Sequence, residues 1–134
     1  MTSQIVYEGD LRTVATHLQS GSEIETDAPL DNQGKGERFS PTDLVATALG
    51  SCMLSIMGIK ARDMGLKLEG TNVNITKIML ADPRRIGEIK VTIQFPDELN
   101  ADEKQRIILE RAAMTCPVFE SLHPNMVKDV AFVW

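Results

Sequence analysis

Hydrophobic and polar residues alternate along short segments in the first third of the chain. The alternating segments are Gln4–Tyr7, Leu11–Leu18 and Ser22–Asp27, separated by Gly9-Asp10 and Ser20-Gly21. Alternation with a period of two, interrupted by turn-forming residues, is typical of antiparallel strands. The pattern predicts three short strands that follow one another as a meander.

A helical period begins after Ser40. Ser40 is suited to cap a helix, Pro41 to its first position, and Asp43 to the third position of a capping-box-like arrangement. Apolar residues then recur at helical spacing, at Leu44, Val45, Ala48, Leu49, Cys52, Met53, Ile56, Met57 and Ile59. Gly65 can end the helix at about Met64. Because apolar or small side chains occupy most of its faces, we expect a central helix buried on several sides.

The second half of the chain has a hairpin, a second helix and a last strand. Residues 72–81 and 87–95 are rich in β-formers and flank Asp82–Ile86, which predicts an antiparallel hairpin. Asn100 as N-cap and Glu103 at the third position predict a helix to about Thr115, and Pro117 should break or restart it. Residues 127–134 predict a final strand. The order βββ-α-ββ-α-β indicates an α+β fold, and residues 1–134 form one predicted domain.

The composition is that of a folded, acidic chain. Of 134 residues, 43% are hydrophobic and 25% charged, and the formal net charge is −5. The acidity and the 4% aromatic content argue against nucleic acid and anionic membranes as partners. The first residues lack the basic and apolar regions of a secretory signal. The apolar stretch from Leu44 to Ile59 is too short and interrupted for a membrane span. We expect a cytoplasmic protein.

Patterns typical of a metal or cofactor site are absent. His17 and His123, with two lone cysteines, lack the spacing of a zinc site. The segment Gly34-Lys35-Gly36 lacks the strand, length and Ser/Thr of a phosphate loop. We therefore expect no metal and no bound cofactor.

Two cysteines carry the most distinctive chemistry. Cys52 lies about three turns into the predicted helix, near Gly50, and Cys116 directly precedes Pro117. In a reducing compartment such a pair suits a peroxidatic and a resolving thiol, because a sulfenic acid formed on one can condense with the other. The alternative is that they are inert core thiols, since free cysteine is among the most buried residue types.

A peroxidatic thiol must be ionised. At an ordinary pKa of about 8.5 only about 3% is thiolate at pH 7, and Cys52 lies too far along its helix for the macrodipole to change this. A positioned arginine is the natural source of the missing charge. Arg12 and Arg38 are the two candidates, and Glu37 or Asp43 could hold the guanidinium in a bidentate pair.

Several segments together resemble one protein family. They are Tyr7-Glu8-Gly9-Asp10, Arg38-Phe39, Ser40-Pro41-Thr42-Asp43-Leu44, Ala48-Leu49-Gly50-Ser51-Cys52 and Thr115-Cys116-Pro117-Val118. Over nearly the whole chain the sequence is similar to the OsmC/Ohr family, the osmotically induced protein C and organic hydroperoxide resistance proteins, and to its OsmC branch in particular.

This resemblance implies an OsmC-like fold and an intertwined, domain-swapped homodimer with two active sites at the subunit interface. It also implies cysteine-based reduction of organic hydroperoxides, with hydrogen peroxide as a further candidate. An external dithiol, such as a lipoyl group, would return the electrons. By motif, Cys52 would be the peroxidatic cysteine and Cys116 the resolving one.

One position departs from the family pattern. Family members often have an acidic residue directly after the helix-start proline, where it orients the arginine, and this chain has Thr42 there. Glu37 or Asp43 would then take over that duty. Arg38 resembles the OsmC-branch arginine, whereas Arg12 lies where the Ohr branch has its own. The departure favours one alternative, a non-enzymatic redox sensor or small-molecule-binding protein. A structural domain with inert buried thiols is a third interpretation.

Overall fold

The structure is a computed structural model that describes all residues, Met1–Trp134. The chain divides into two compact units, residues 1–45 and residues 46–134. The single domain expected from the sequence stays a prediction.

The first unit contains a three-stranded antiparallel sheet. Its strands are β1 (Ser3–Gly9), β2 (Arg12–His17) and β3 (Glu23–Asp27), in the order β1-β2-β3. The predicted meander is therefore confirmed. The register of β2 and β3 places Arg12 directly opposite Asp27. That pairing fixes two charged side chains at the same end of the sheet.

A compact loop follows β3. It forms a 3-10 turn at Leu30–Asn32 and then folds back, so that the N–H of Gly36 donates to the carbonyl oxygen of Ala28 at 3.2 Å. Gly34 is required here because a Cβ at that position would overlap the backbone carbonyl of Ala28. The return of the loop brings Glu37 beside the end of β3, where its N–H donates to Oδ2 of Asp27 at 3.1 Å.

Helix α1 spans Pro41–Asp63, as predicted. Its start is a reciprocal cap: Asp43 N–H donates to Ser40 Oγ at 3.1 Å, and Ser40 N–H donates to Asp43 Oδ2 at 2.9 Å. The helix is buried along one stripe rather than on several sides, because only that face has packing partners within the chain. The stripe consists of Ala46, Leu49, Gly50, Met53, Met57 and Ala61. On the opposite face Ile59 remains 46% exposed.

By length and composition alone, α1 would be able to cross a membrane. Its most apolar 18-residue window has a mean hydropathy of 1.6, and about a third of that window is buried. A core helix of a soluble protein meets the same criteria, so this finding is weak evidence for a membrane span.

The second unit contains a mixed sheet. Strand β4 (Asn72–Ala81) pairs antiparallel with β5 (Arg84–Gln94), and β6 (Val127–Val133) runs parallel to β5 on its other side. The hairpin turn is tighter than the sequence predicts, since Asp82 and Pro83 alone separate the strands.

Two helices lie between β5 and β6 in the chain. Helix α2 spans Glu103–Met114, and its N-cap is Asp102 rather than the predicted Asn100. Asp102 and Gln105 form a reciprocal capping box, with bonds of 2.8 and 2.9 Å. The helix restarts after Cys116 as α3 (Pro117–Ser121), as expected from the proline.

The core of the second unit combines these elements. Its fully buried side chains include Leu49, Met53, Met57, Ile89, Ile93, Leu109 and Cys116. The end of the chain also packs here. The Trp134 ring stacks on Phe95 with centroids 3.8 Å apart, its Nε1 donates to Glu110 at 2.8 Å, and the Arg106 guanidinium lies 5.0 Å from the ring centroid.

Candidate functional site

Cys52 lies about three turns from the start of α1 and is half-buried. Two residues earlier, Gly50 allows the helix to approach β4 closely, because a Cβ on Gly50 would lie 2.9 Å from Ile75 Cδ1 and 3.0 Å from Val73 Cγ1. A groove of about 250 Å³ lies at this contact and is lined by Thr47, Gly50, Ser51, Leu54, Val73 and Ile75.

Cys116 is fully buried at the N-cap of α3. Pro117 occupies the first position of that helix, where its missing N–H costs nothing. The Phe119 N–H donates to the Cys116 Sγ at 3.4 Å. The cysteine therefore performs the capping task usually taken by Ser, Thr, Asn or Asp.

The fold brings the two thiols together although 63 residues lie between them in the chain. Both cysteines are free, and both belong to the core of the second unit, with Cys116 inside it and Cys52 packed against it. Burial raises the pKa of Cys116, and the neighbouring Cys52 raises it further, while the amides of Phe119 and Val118 act in the opposite direction. The pair is asymmetric: one sulfur is sealed in the core and the other reaches the surface.

In the first unit, Arg12 is held by two carboxylates. Its Nε donates to Asp27 Oδ1 and its Nη2 to Asp27 Oδ2, both at 2.8 Å, and Nη2 also donates to Glu37 Oε2 at 3.0 Å. Asp27 is 1% exposed and Arg12 is 23% exposed. These bonds raise the pKa of Arg12 above its ordinary value. A guanidinium held in this way is fixed in position as well as charged.

The other two predicted polar residues have different surroundings. Arg38 forms an exposed ion pair with Glu25 and donates to the Glu37 carbonyl oxygen at 3.1 Å. The bond from Arg38 lowers the pKa of Glu25. Asp43 belongs to the cap of α1 described above. Of the two acids expected to hold an arginine, Glu37 is the one that accepts a hydrogen bond from Arg12.

Asp27 is the residue that sequence reasoning missed. It makes the bidentate pair with Arg12 that had been expected of Glu37 or Asp43. The signal that could have revealed it is the register of the β2–β3 hairpin, because residues directly opposite each other in antiparallel strands are close neighbours.

The stability contributed by Asp27 should be lost in acid. The hydrogen bond from Arg12 lowers the pKa of Asp27 to about 2, from an ordinary value of 3.8. A carboxyl group whose pKa is lowered by folding stabilises the native state above its unfolded-state pKa. The contribution is therefore present above about pH 4 and disappears as the pH falls toward 2. We expect the Tm difference between wild type and Asp27→Asn to be large at neutral pH and to shrink in this window.

Calorimetry across this pH range checks the prediction. Asp97→Asn, at an exposed carboxylate, serves as the matched control and should change Tm little at any pH. A difference between wild type and Asp27→Asn that stays constant down to pH 2 would contradict the assigned ion pair.

The two histidines, which the sequence analysis did not assign to a metal site, belong to no cluster of metal-binding side chains. No group of three or more His, Cys, Asp or Glu side chains is arranged to hold a metal ion. His17 Nδ1 lies 2.7 Å from Ser20 Oγ, and His123 Nδ1 accepts from the Asn125 N–H at 3.1 Å. Both histidines are thus engaged in local turns.

Comparison with known proteins identifies the family. A family model described as OsmC-like protein matches residues 34–130, which is more than half of the chain. The protein belongs to the OsmC-like family. The predicted family and the predicted α+β, OsmC-like fold are both confirmed.

Three solved structures illustrate the likeness. A Psychrobacter arcticus protein, named as an osmotic stress induced and detoxification response protein, is 56% identical to this chain. The match covers 98% of this chain and 95% of that chain, with a TM-score of 0.94. An OsmC-like protein of unknown function from Vibrio cholerae is 12% identical, with 98% and 97% covered and a TM-score of 0.80. The organic hydroperoxide resistance protein OsmC of Legionella pneumophila is 14% identical, with 100% and 98% covered and a TM-score of 0.76.

The Vibrio and Legionella structures share the fold with this chain. A comparison with curated proteins finds no match.

Proposed function

We propose that this OsmC-like protein is a cysteine-based peroxidase that reduces organic hydroperoxides, and hydrogen peroxide as a further candidate. The observation that carries the proposal is the pair of free thiols, Cys52 and Cys116, which the fold places in the same core. Membership of a family that includes a protein called an organic hydroperoxide resistance protein supports it.

The reaction divides into three balanced steps. Cys52 first releases its thiol proton to solvent. Its thiolate attacks the peroxide, the O–O bond breaks, and Cys52 becomes a sulfenic acid, while the departing alkoxide takes a proton from solvent and leaves as the alcohol. The Cys116 thiol then attacks that sulfur, the S–S bond forms, and water leaves. An external dithiol, for which a lipoyl group is the proposed type, reduces the disulfide and is itself oxidised. No bound cofactor takes part.

Arg12 is the proposed source of positive charge for the thiolate. Asp27 and Glu37 hold its guanidinium through three hydrogen bonds, whereas Arg38 pairs with an exposed glutamate. Asp27 and Glu37 would therefore do together what the acid after the helix-start proline does in other family members. The threonine at position 42 is then compatible with activity.

Mass spectrometry after one equivalent of an organic hydroperoxide tests the thiol chemistry. We expect a rapid loss of two hydrogens and a crosslinked peptide pair containing Cys52 and Cys116. Continuous turnover with dihydrolipoamide should follow. Slow, scattered oxidation at methionines and cysteines, without that crosslink, would reject the peroxidase.

The alternative is a redox sensor that forms the same disulfide but is not reduced catalytically. The departure at Thr42 favours it. The two functions differ in the second half of the cycle: a sensor yields one equivalent of alcohol per chain, whereas a peroxidase continues as long as dithiol is supplied. Alcohol yield per chain, with and without dithiol, separates them.

We also propose an intertwined homodimer in the cytoplasm. Strand β1 exposes large apolar side chains on both faces, with Ile5, Val6 and Tyr7 at 65%, 51% and 63% exposure. Monomeric soluble proteins rarely expose such contiguous apolar surface to water. We therefore propose that a second copy of the chain packs against β1. Light scattering should give twice the chain mass of 14.8 kDa. The free thiols suit a reducing compartment.

A further inference from the structure

We propose that helix α3 is a redox-sensitive element of the fold: the Cys116 sulfur caps it, and the cap is lost when that sulfur enters a disulfide with Cys52. The reduced chain then holds the first turn of α3 in place, whereas the oxidised chain releases it. The inference rests on the proposed function for the disulfide alone, since the cap itself is a feature of the free thiol.

The cap of α3 is a hydrogen bond to sulfur. Cys116 has the extended backbone of an N-cap residue, with φ −68° and ψ 149°, and its Sγ accepts from the Phe119 N–H at 3.4 Å. Side-chain oxygens usually accept this bond. A thiol sulfur is a weaker acceptor, but it can be oxidised to a disulfide, which a hydroxyl group cannot. Cysteine at this position therefore makes the cap depend on the oxidation state of the chain.

Helix α3 is too short to hold its first turn without help. It spans the five residues Pro117–Ser121, and a single helical turn is not stable by itself. Pro117 supplies no N–H, so the Phe119 N–H is the first-turn donor that the side-chain cap fixes. The bond from the Leu122 N–H to the Val118 carbonyl oxygen, at 3.2 Å, closes the other end of the helix and does not involve the sulfur.

Disulfide formation makes a competing demand on the same sulfur. Cys116 precedes α3, whereas Cys52 belongs to α1. An S–S bond holds both sulfurs within narrow geometric limits, so α1 determines the position of the Cys116 sulfur once the bond has formed. An N-cap requires that sulfur to lie over the first turn of α3 instead. The Phe119 N–H therefore loses its acceptor on oxidation.

Release of α3 changes the surface of the second unit. The side chains of Val118, Phe119 and Leu122 pack against the core, and the Lys128 ammonium of β6 lies 4.8 Å from the Phe119 ring centroid. The short helix that makes these contacts is the one that the sulfur caps. The oxidised chain would therefore expose apolar side chains that the reduced chain keeps partly buried, and reduction would cover them again.

Amide hydrogen exchange at Phe119 measures the cap directly. Loss of an N-cap shifts the local equilibrium by about fivefold, so this amide should exchange about fivefold faster in the oxidised chain than in the reduced one. Diamide forms the disulfide by taking up the two thiol hydrogens, and mass spectrometry verifies the crosslink between Cys52 and Cys116. The Gln105 amide, which Asp102 caps in α2, is the internal control and should exchange equally in both states.

Replacements of Cys116 separate the cap from oxidation. Cys116→Ser keeps an acceptor but cannot form the disulfide, so Phe119 should exchange slowly with or without diamide. Cys116→Ala has no acceptor, so exchange should be fast in both conditions. Cys116→Thr and Cys116→Val are a second pair of nearly equal shape, in which the threonine should give the slower exchange. This pair protects the comparison against the cavity that alanine leaves.

Cys52→Ser retains the Cys116 cap but lacks the disulfide partner, so diamide should leave its Phe119 exchange unchanged. A crosslinked wild type whose Phe119 amide exchanges as slowly as in the reduced chain would overturn this inference and leave the peroxidase standing. Equal exchange rates within both pairs of Cys116 variants would have the same consequence. Failure of the crosslink to form would reject the switch together with the proposed function.

Discussion

Replacing Cys52 with serine is expected to abolish hydroperoxide reduction. A serine hydroxyl at this position of α1 keeps the shape of the side chain but is not ionised near neutral pH, so no competent nucleophile remains. Removal of a nucleophile costs at least about a thousandfold in turnover in enzymes of this kind. Consumption of an alkyl hydroperoxide with dihydrolipoamide as reductant measures the loss.

Two further variants serve as controls for this result. Ser55→Ala removes an exposed hydroxyl one turn further along α1, where it bonds to the Ser51 carbonyl, and should retain full activity. Cys116→Ser should still consume one peroxide per chain and then stop with a sulfenic acid on Cys52. Activity that survives Cys52→Ser would mean that the reacting sulfur is elsewhere.

Replacing Arg12 with methionine is expected to slow the reaction of Cys52 with peroxide by about a hundredfold. Removing one preorganised electrostatic group from an active site typically costs about 10²–10³ in rate. We propose Arg12 as such a group because Asp27 and Glu37 hold both of its donating nitrogens in place. The second-order rate constant for sulfenic acid formation, measured in single-turnover experiments, is the relevant quantity.

Arg38→Met is the matched control. This arginine is half-exposed and pairs with Glu25, and an exposed ion pair contributes little. We expect its removal to change the rate constant by no more than about twofold. If Arg38→Met were the slow variant and Arg12→Met the fast one, the OsmC-branch assignment of the arginine would replace ours. If both remained fast, neither arginine would activate the thiol.

The secondary structure could be predicted well where one local signal dominates. The Ser40–Asp43 cap and Pro117 each specify a boundary through their own chemistry, and the structure has helix starts at both. The start of α2 could not be decided in this way. The sequence offers two capping boxes, Asn100 with Glu103 and Asp102 with Gln105. Tertiary packing selects the second, because Ala101 is buried and its carbonyl accepts from the Arg106 side chain.

The candidate site could be predicted in part. The proximity of Cys52 and Cys116 was expected from motifs that resemble a family. Their spacing along the sequence does not by itself predict that two distant residues are neighbours in the fold. The partner of Arg12 depends on a hairpin register, and a shift of one residue would place Ala28 rather than Asp27 opposite it. Turn length sets that register, and the residues between β2 and β3 permit more than one length.

The burial of α1 shows a different limit of sequence reasoning. Apolar residues on several helix faces indicate that those faces are covered, but they do not say by what. Within the chain one stripe is covered, while Ile59 on the other side stays exposed. The same pattern therefore suits a helix covered partly by its own chain and partly by a second copy, as the proposed dimer requires.

The Phe95–Trp134 stack gives the protein a built-in optical probe. Trp134 is the one tryptophan of the chain, and its ring, held by Glu110 and Arg106, reports on the unit formed by residues 46–134. The single tyrosine, Tyr7, lies on β1 in the other unit. Selective excitation of the indole would therefore follow the melting of residues 46–134 by itself, without any label.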